Sequence, residues 1–349
     1  MLKNKAEKIE KVVLGDKLNL EEFVAVVRYN AKVEFSKQYK DKVKEARKLV
    51  EKWIDEEKVM YGVNTGFGAL HDQVIDKKET KKLQENIILS HSTSVGEPMS
   101  NEEVRATMLM VLQNAGQGYS GIRLKILDLY RQLLNKNLIP FAPKEGSIGY
   151  LSPEAHIAMV VLGKGKAYLN GELLDGEKAL NKIDLKPVTL SSKEGLVLIS
   201  GTTSVTGLGA IALYDMIKAT ESSEIIGALN LEISKGTLKA FDERLMNVRP
   251  HPEQKNTARK VREILSDSEI CKKYIDYRVQ DALSLRCIPQ LHGASKKTLT
   301  DALKTIETEI NSCTDNPIIW SNGDQGLAIS GGNPDSSYAG LELDSAAIA

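Results

Sequence analysis

The chain has 349 residues, 42% of them apolar and 27% charged, enough to bury at least one large core and too apolar for a disordered polymer. Lysine plus arginine equals aspartate plus glutamate at 47 each, so net charge gives no reason to expect nucleic acid or an anionic membrane as partner. Cys271, Cys287 and Cys313 have neither CxxC spacing nor a histidine at metal-ligand spacing, which predicts free thiols and no metal; with the charged start Met1-Leu2-Lys3-Asn4-Lys5 and no apolar run of membrane-spanning length, a reducing cytoplasmic location is expected.

Asn19-Leu20-Glu21-Glu22 reads as a capping box, with Phe23, Val26 and Val27 at helical spacing behind it. A second helix should follow Ser36, striped by Val43, Ala46, Leu49, Val50, Trp53 and Ile54. Tyr61-Gly62-Val63-Asn64-Thr65-Gly66-Phe67-Gly68 is too rich in glycine for a helix or a good strand, and must be a loop of demanding geometry. It lacks the Gly-Lys-Ser/Thr of a phosphate loop. Ser100-Asn101-Glu102-Glu103 is another capping box, opening a helix through Met108 and Leu112 that should stop near Gly116, and a further helix runs from Ser120-Gly121-Ile122-Arg123 toward Leu134. For Arg123, a structural ion pair is the expected role.

Gly146-Ser147-Ile148-Gly149-Tyr150-Leu151-Ser152-Pro153-Glu154-Ala155-His156 reads as a glycine-bounded turn entering a helix, with Ser152 as N-cap, Pro153 in the first turn and Glu154 adding favourable charge. Asn170-Gly171 marks a type I′ hairpin, and the chain from Val205 to about Gly236 reads as a long, mostly helical segment for the centre of a bundle. Arg249-Pro250-His251-Pro252 breaks the chain before a helix through Val261 and Leu265, and Leu341 to Ala349 closes it as another.

Several of these stretches resemble motifs of the histidine and phenylalanine ammonia-lyase family, in that family's order and from about Leu18 to the last residue. Tyr61 to Gly68 is similar to its Tyr-Gly-x-Asn-Thr-Gly-Phe-Gly loop, and Ser90-His91 to its Ser-His segment. Val279-Gln280-Asp281-Ala282-Leu283-Ser284-Leu285-Arg286-Cys287-Ile288-Pro289-Gln290 resembles Val-Gln-Asp-Pro-Tyr-Ser-Leu-Arg-Cys-x-Pro-Gln, and Thr314-Asp315-Asn316-Pro317 and Ser330-Gly331-Gly332-Asn333 match two more. The turn at Gly146 resembles the family's cofactor loop, in which Gly-Ser-Val-Gly precedes an Ala-Ser-Gly triplet and a segment ending Pro-x-Ala-His. The triplet cyclises into 4-methylideneimidazole-5-one (MIO), an electrophile made from the chain itself. Both flanks are present here, but no Ala-Ser-Gly stands between Gly149 and Tyr150.

The resemblance implies a mainly α fold, a long central helix bundle with a small mixed N-terminal portion: residues 1–200 as the MIO-bearing domain and 201–349 as the bundle, with the C-terminal part of the family fold missing. It implies ammonia elimination from an α-amino acid, with Tyr61 as general base, MIO at Gly149 and Tyr150, and Ser200 where the family has an asparagine near MIO. His91, Asn64, Gln280, Arg286 and Asn333 fall at substrate positions, Arg286 as the carboxylate binder. His91 makes histidine the first candidate substrate, and a homotetramer is implied by analogy. The sequence departs from the family at Ser200, at Leu283 in place of a catalytic tyrosine, at Pro334-Asp335 in place of Phe-His, and at Tyr150 in place of an aspartate. Two alternatives follow: a 2,3-aminomutase using the same cofactor, or an inactive homologue with a structural or regulatory role.

Overall fold

In the computed structural model, which describes residues 5–60, 65, 79–147, 151–322 and 325–349, the first helix starts at the capping box read from the sequence. Asn19 accepts from Glu22 N and the Glu22 side chain closes the box on the Asn19 amide, opening α1 (Leu20–Tyr29). Two short strands flank it, β1 (Lys11–Leu14) and β2 (Lys32–Phe35), and they pair in parallel. That pairing is absent from the sequence reading, because four-residue strands separated by a helix carry no local register signal.

Ser36 caps α2 (Lys37–Asp55), whose buried face of Val43, Ala46, Leu49, Val50 and Trp53 is the predicted stripe. Then follow α3 (Thr80–His91), β3 (Val95–Pro98), α4 (Asn101–Gly116) behind the Ser100 and Glu103 capping box, and α5 (Leu124–Asn135). β4 (Ile139–Pro140) and β5 (Pro143–Glu145) lead to α6 (Ser152–Val161). β6 (Lys166–Leu169) and β7 (Glu172–Asp175) form the expected hairpin, with Asn170 and Gly171 both at positive φ as a type I′ turn requires. α7 (Gly176–Asn181) and α8 (Glu194–Ile199) precede the long α9 (Thr203–Ile233). After it come α10 (Glu243–Asn247), α11 (Pro252–Ile264), α12 (Glu269–Lys273), α13 (Leu283–Arg286), α14 (Ile288–Ile310), the hairpin β8 (Ile318–Asn322) and β9 (Gln325–Ile329), and α15 (Ser337–Ile348). The fold is mainly α, as expected.

Two compact units emerge: Met1–Ile211 with Ile306–Ala339, and Ala212–Thr305 with Gly340–Ala349. In the first, α4 is buried along nearly its whole length, and Arg105 on it reaches the last carbonyls of two neighbouring helices. Its guanidinium donates to Val26 O at 2.5 Å, Val27 O at 3.0 Å, Leu134 O at 3.0 Å and Asn137 Oδ1 at 3.1 Å. The three carbonyls are groups that a helix C-terminus leaves without internal partners. Burial alone lowers the Arg105 pKa to about 10. In the second unit, Ala228, Leu231, Phe241, Met246, Ala258, Val261 and Leu265 form the core.

One expectation is corrected. The helical stretch Glu194–Ile233 is long and apolar enough, by length and composition, to cross a membrane. Its most apolar window is 72% buried inside the protein, so the composition serves packing. The three cysteines are free, as expected, and burial, with Asp315 nearby, pushes the Cys313 thiol up to about 11.

Candidate active site

Tyr61, Asn64, Gly149 and Tyr150 lie outside the described residues. Among the described residues, the first unit brings together motifs that stand far apart in the sequence. Gly201 follows Ser200 with φ +109°, and a Cβ there would lie 2.7 Å from Thr314 Oγ1 and 2.8 Å from Asn114 Nδ2, so only glycine fits the turn. Thr202 N donates to Thr314 Oγ1 at 3.0 Å, and Thr314 N to Asn114 Oδ1 at 2.8 Å. Gly331 N donates to Asn316 Oδ1 at 2.9 Å and Asn333 Nδ2 to Cys313 O at 3.2 Å. The Ser200, Thr314 to Pro317 and Ser330 to Asn333 motifs are thus one hydrogen-bonded assembly. Ser200 is buried at its edge, just before the N-terminus of α9, where partial positive charge gathers.

A fully buried ion pair, Lys193 Nζ to Asp315 Oδ2 at 2.6 Å, braces the same assembly from the start of α8. Next to Lys193, the buried Glu194 accepts from Arg123 Nε at 2.5 Å, from Arg123 Nη2, and from Ser191 N at 2.6 Å. Arg123 therefore has the structural role expected of it. Its pairing with Glu194 also raises its pKa. α3 joins through Gln84 Oε1, which accepts from Gly195 N at 2.8 Å.

His91 ends α3, half-buried, with Nδ1 2.8 Å from Ile87 O and 3.2 Å from Ser90 Oγ. Because a carbonyl can only accept, the Ile87 contact assigns a proton to Nδ1, so that Nε2 is the acceptor of the neutral ring.

The start of α6 differs from the sequence reading. Ser152 is the first helical residue instead of the cap, and Leu151 occupies the cap position with φ +80° and ψ −61°. For a leucine that backbone costs on the order of 1–3 kcal/mol, the kind of strain that gathers at working loops. Glu154 does not serve its own helix as a surface charge. It is buried, accepts from Thr203 Oγ1 at 2.7 Å and Ser204 N at 2.9 Å, and has its pKa raised by burial against those hydrogen bonds. Sequence reasoning named Glu154 only as charge at the helix start and missed these contacts, since the partners stand about fifty residues further on.

A prosthetic group built into the loop that ends at Leu151 fits these surroundings. Glu154 Oε2 and His156 Nε2, in the first turns of α6, are buried polar atoms with no hydrogen-bond partner among the described residues.

In the second unit, Gln280 is exposed and Arg286 half-buried. Asp281, the candidate ion-pair partner for Arg286, instead accepts from Thr237 N at 2.6 Å and Arg278 Nη1 at 3.3 Å. Arg286 Nε is buried without a partner among the described residues, as is Gln290 Oε1 four positions on. A guanidinium left in that state suits an incoming carboxylate.

The family model for aromatic amino acid lyases matches residues 18–349. Histidine ammonia-lyase of Streptococcus sanguinis is 44% identical over 322 residues, covering 91% of this chain and 62% of that protein. The enzyme of Alkaliphilus oremlandii is 41% identical, covering 96% and 66%. Among solved structures, phenylalanine aminomutase of Pantoea agglomerans superposes with a TM-score of 0.91 at 31% identity, covering 97% of this chain and 69% of that one. Histidine ammonia-lyase of Trypanosoma cruzi gives 0.89 at 31%, covering 97% and 64%. The chain spans about 62% of the length of the Streptococcus relatives that it matches. With the family model matching residues 18–349 and the fold shared over 97% of the chain, the chain belongs to the aromatic amino acid lyase family.

Proposed function

We propose that the protein eliminates ammonia from an α-amino acid, with histidine the first candidate substrate. The observation that carries this reading is the similarity to histidine ammonia-lyases, 40–44% identical over nearly the whole chain. The cofactor would be MIO, formed from an Ala-Ser-Gly triplet between Gly149 and Tyr150 that the written sequence lacks; when present, it supplies the electrophile that ordinary side chains do not. No metal is needed.

The chain's own residues do the rest. Arg286 grips the substrate carboxylate through its two-pronged guanidinium, with Gln280, Asn64 and Asn333 adding neutral hydrogen bonds to the substrate. Tyr61 removes the β-proton; its hydroxyl, with an ordinary pKa of about 10, needs positive or hydrogen-bonding neighbours to act at neutral pH. Ser200 stands at the α9 N-terminus, where negative charge is favoured. The acceptor Nε2 of His91 suits the N–H of an imidazole side chain. Residues 1–200 would bear the cofactor and 201–349 the helical bundle, within a cytoplasmic homotetramer without nucleic-acid or membrane partners.

The purified protein is tested with a panel of amino acids. Elimination yields ammonia and an unsaturated acid. A β-amino acid without ammonia would favour a 2,3-aminomutase, a reading that the fold similarity to phenylalanine aminomutase supports. Intact mass decides the cofactor: a mass matching the 349 written residues leaves no triplet to cyclise, and the inactive homologue becomes the better reading.

A further inference from the structure

The first turn of α6 makes side-chain hydrogen bonds in two directions, each reaching a different segment of the chain. Ser152 Oγ accepts from Ser94 Oγ at 2.7 Å, Ser94 N at 2.9 Å and Thr93 N at 3.3 Å, anchoring the segment that follows His91. Glu154 Oε1 accepts from Thr203 Oγ1 and Ser204 N, anchoring the segment that follows Ser200. Ser152 is 4% exposed and Glu154 1%, so both sets of contacts are shielded from water. His156, one turn on, is also coupled to the Ser94 backbone.

A serine and a glutamate at the start of a helix ordinarily cap it or complement its dipole. Here α6 begins behind a strained leucine with no side-chain cap, while both polar side chains reach across to other segments. Losing either acceptor leaves a buried amide unpaired, which costs about 1–3 kcal/mol. The larger effect is geometric, because a displacement of about 1 Å in a reacting site can cost about a hundredfold in rate.

We propose that Ser152 and Glu154 are positioning residues that hold the His91 and Ser200 segments at fixed distances from α6, the helix leading out of the cofactor-like loop. The proposal rests on the ammonia-lyase reading of that loop. Neither residue touches substrate; each acts through the segment that it holds.

The test uses Glu154→Leu, Glu154→Gln and Ser152→Ala in the purified protein, with two independent readouts. Amide hydrogen exchange should quicken at Ser204 in E154L and at Ser94 in S152A, by about tenfold or more, each leaving the other site unchanged. With whichever amino acid the unaltered protein turns over, E154L and S152A should lower kcat by about tenfold to a hundredfold while KM stays within about threefold. E154Q, which keeps the acceptor oxygen, should recover most of the E154L loss and restore Ser204 protection. Unchanged exchange at the two amides overturns the proposal, as does E154Q performing no better than E154L in both readouts. If the unaltered protein turns over no amino acid, the lyase reading fails on its own. The exchange data then decide whether the clamp exists.

Discussion

Arg286 is the residue whose surroundings speak most directly for a task. A buried guanidinium nitrogen without a partner among the described residues is costly to keep, and Asp281, five positions earlier in the chain, is occupied by Thr237 and Arg278. Arg286→Lys should raise KM by at least about tenfold with a smaller change in kcat, because an ammonium cannot reproduce the two-pronged contact. An unaltered KM would remove Arg286 from the carboxylate site. Tyr61→Phe should lower turnover by about a hundredfold to ten-thousandfold with an unchanged far-ultraviolet circular dichroism spectrum. A rate equal to the unaltered protein's would exclude it as base. Both residues were legible only through motif resemblance, since a lone arginine or tyrosine has no physical signature in a sequence. Glu154 was read only as favourable charge at the start of α6; its burial and its contacts with Thr203 and Ser204 were not legible, because those partners stand about fifty residues away.

At the level of elements, local chemistry was legible and pairing was not. The Asn19–Glu22 and Ser100–Glu103 boxes and the Asn170-Gly171 turn are complete within four residues, and each appears as read. The parallel β1 and β2 pair depends on a helix folding back between two four-residue strands, for which no window of sequence suffices. Arg105 shows the same limit. Its place on a helix was predictable, but its four acceptors belong to the ends of α1 and α5. Arg105→Ala should therefore destabilise the protein by about 3 kcal/mol, read as a lowered urea midpoint, because buried carbonyls at two helix termini lose their donor together. A loss below about 0.5 kcal/mol would mean that solvent or a rearranged side chain takes over.

For the molecule as a whole, buried carboxyl groups set a pH dependence. Burial raises the pKa of Glu154 and of Glu309 above the ordinary 4.5, so the folded state holds protons that the unfolded chain releases. Their contribution to stability is complete below the ordinary carboxylate value and is lost as pH rises through the folded values. Glu154→Gln should flatten the fall in urea midpoint as pH rises above the ordinary carboxylate range, and an identical slope in the variant would show that Glu154 does not contribute to it. The Lys193 and Asp315 pair carries a consequence for synthesis. The first unit is discontinuous, closing only when Ile306–Ala339 returns to Met1–Ile211. As the chain emerges from the ribosome, Lys193 waits for a carboxylate 122 residues away, and the Ser200 turn waits for Thr314. Contacts of such separation form late in folding, after local helices. A chain halted before Asp315 would hold Lys193 without its carboxylate and the Gly201 turn without Thr314.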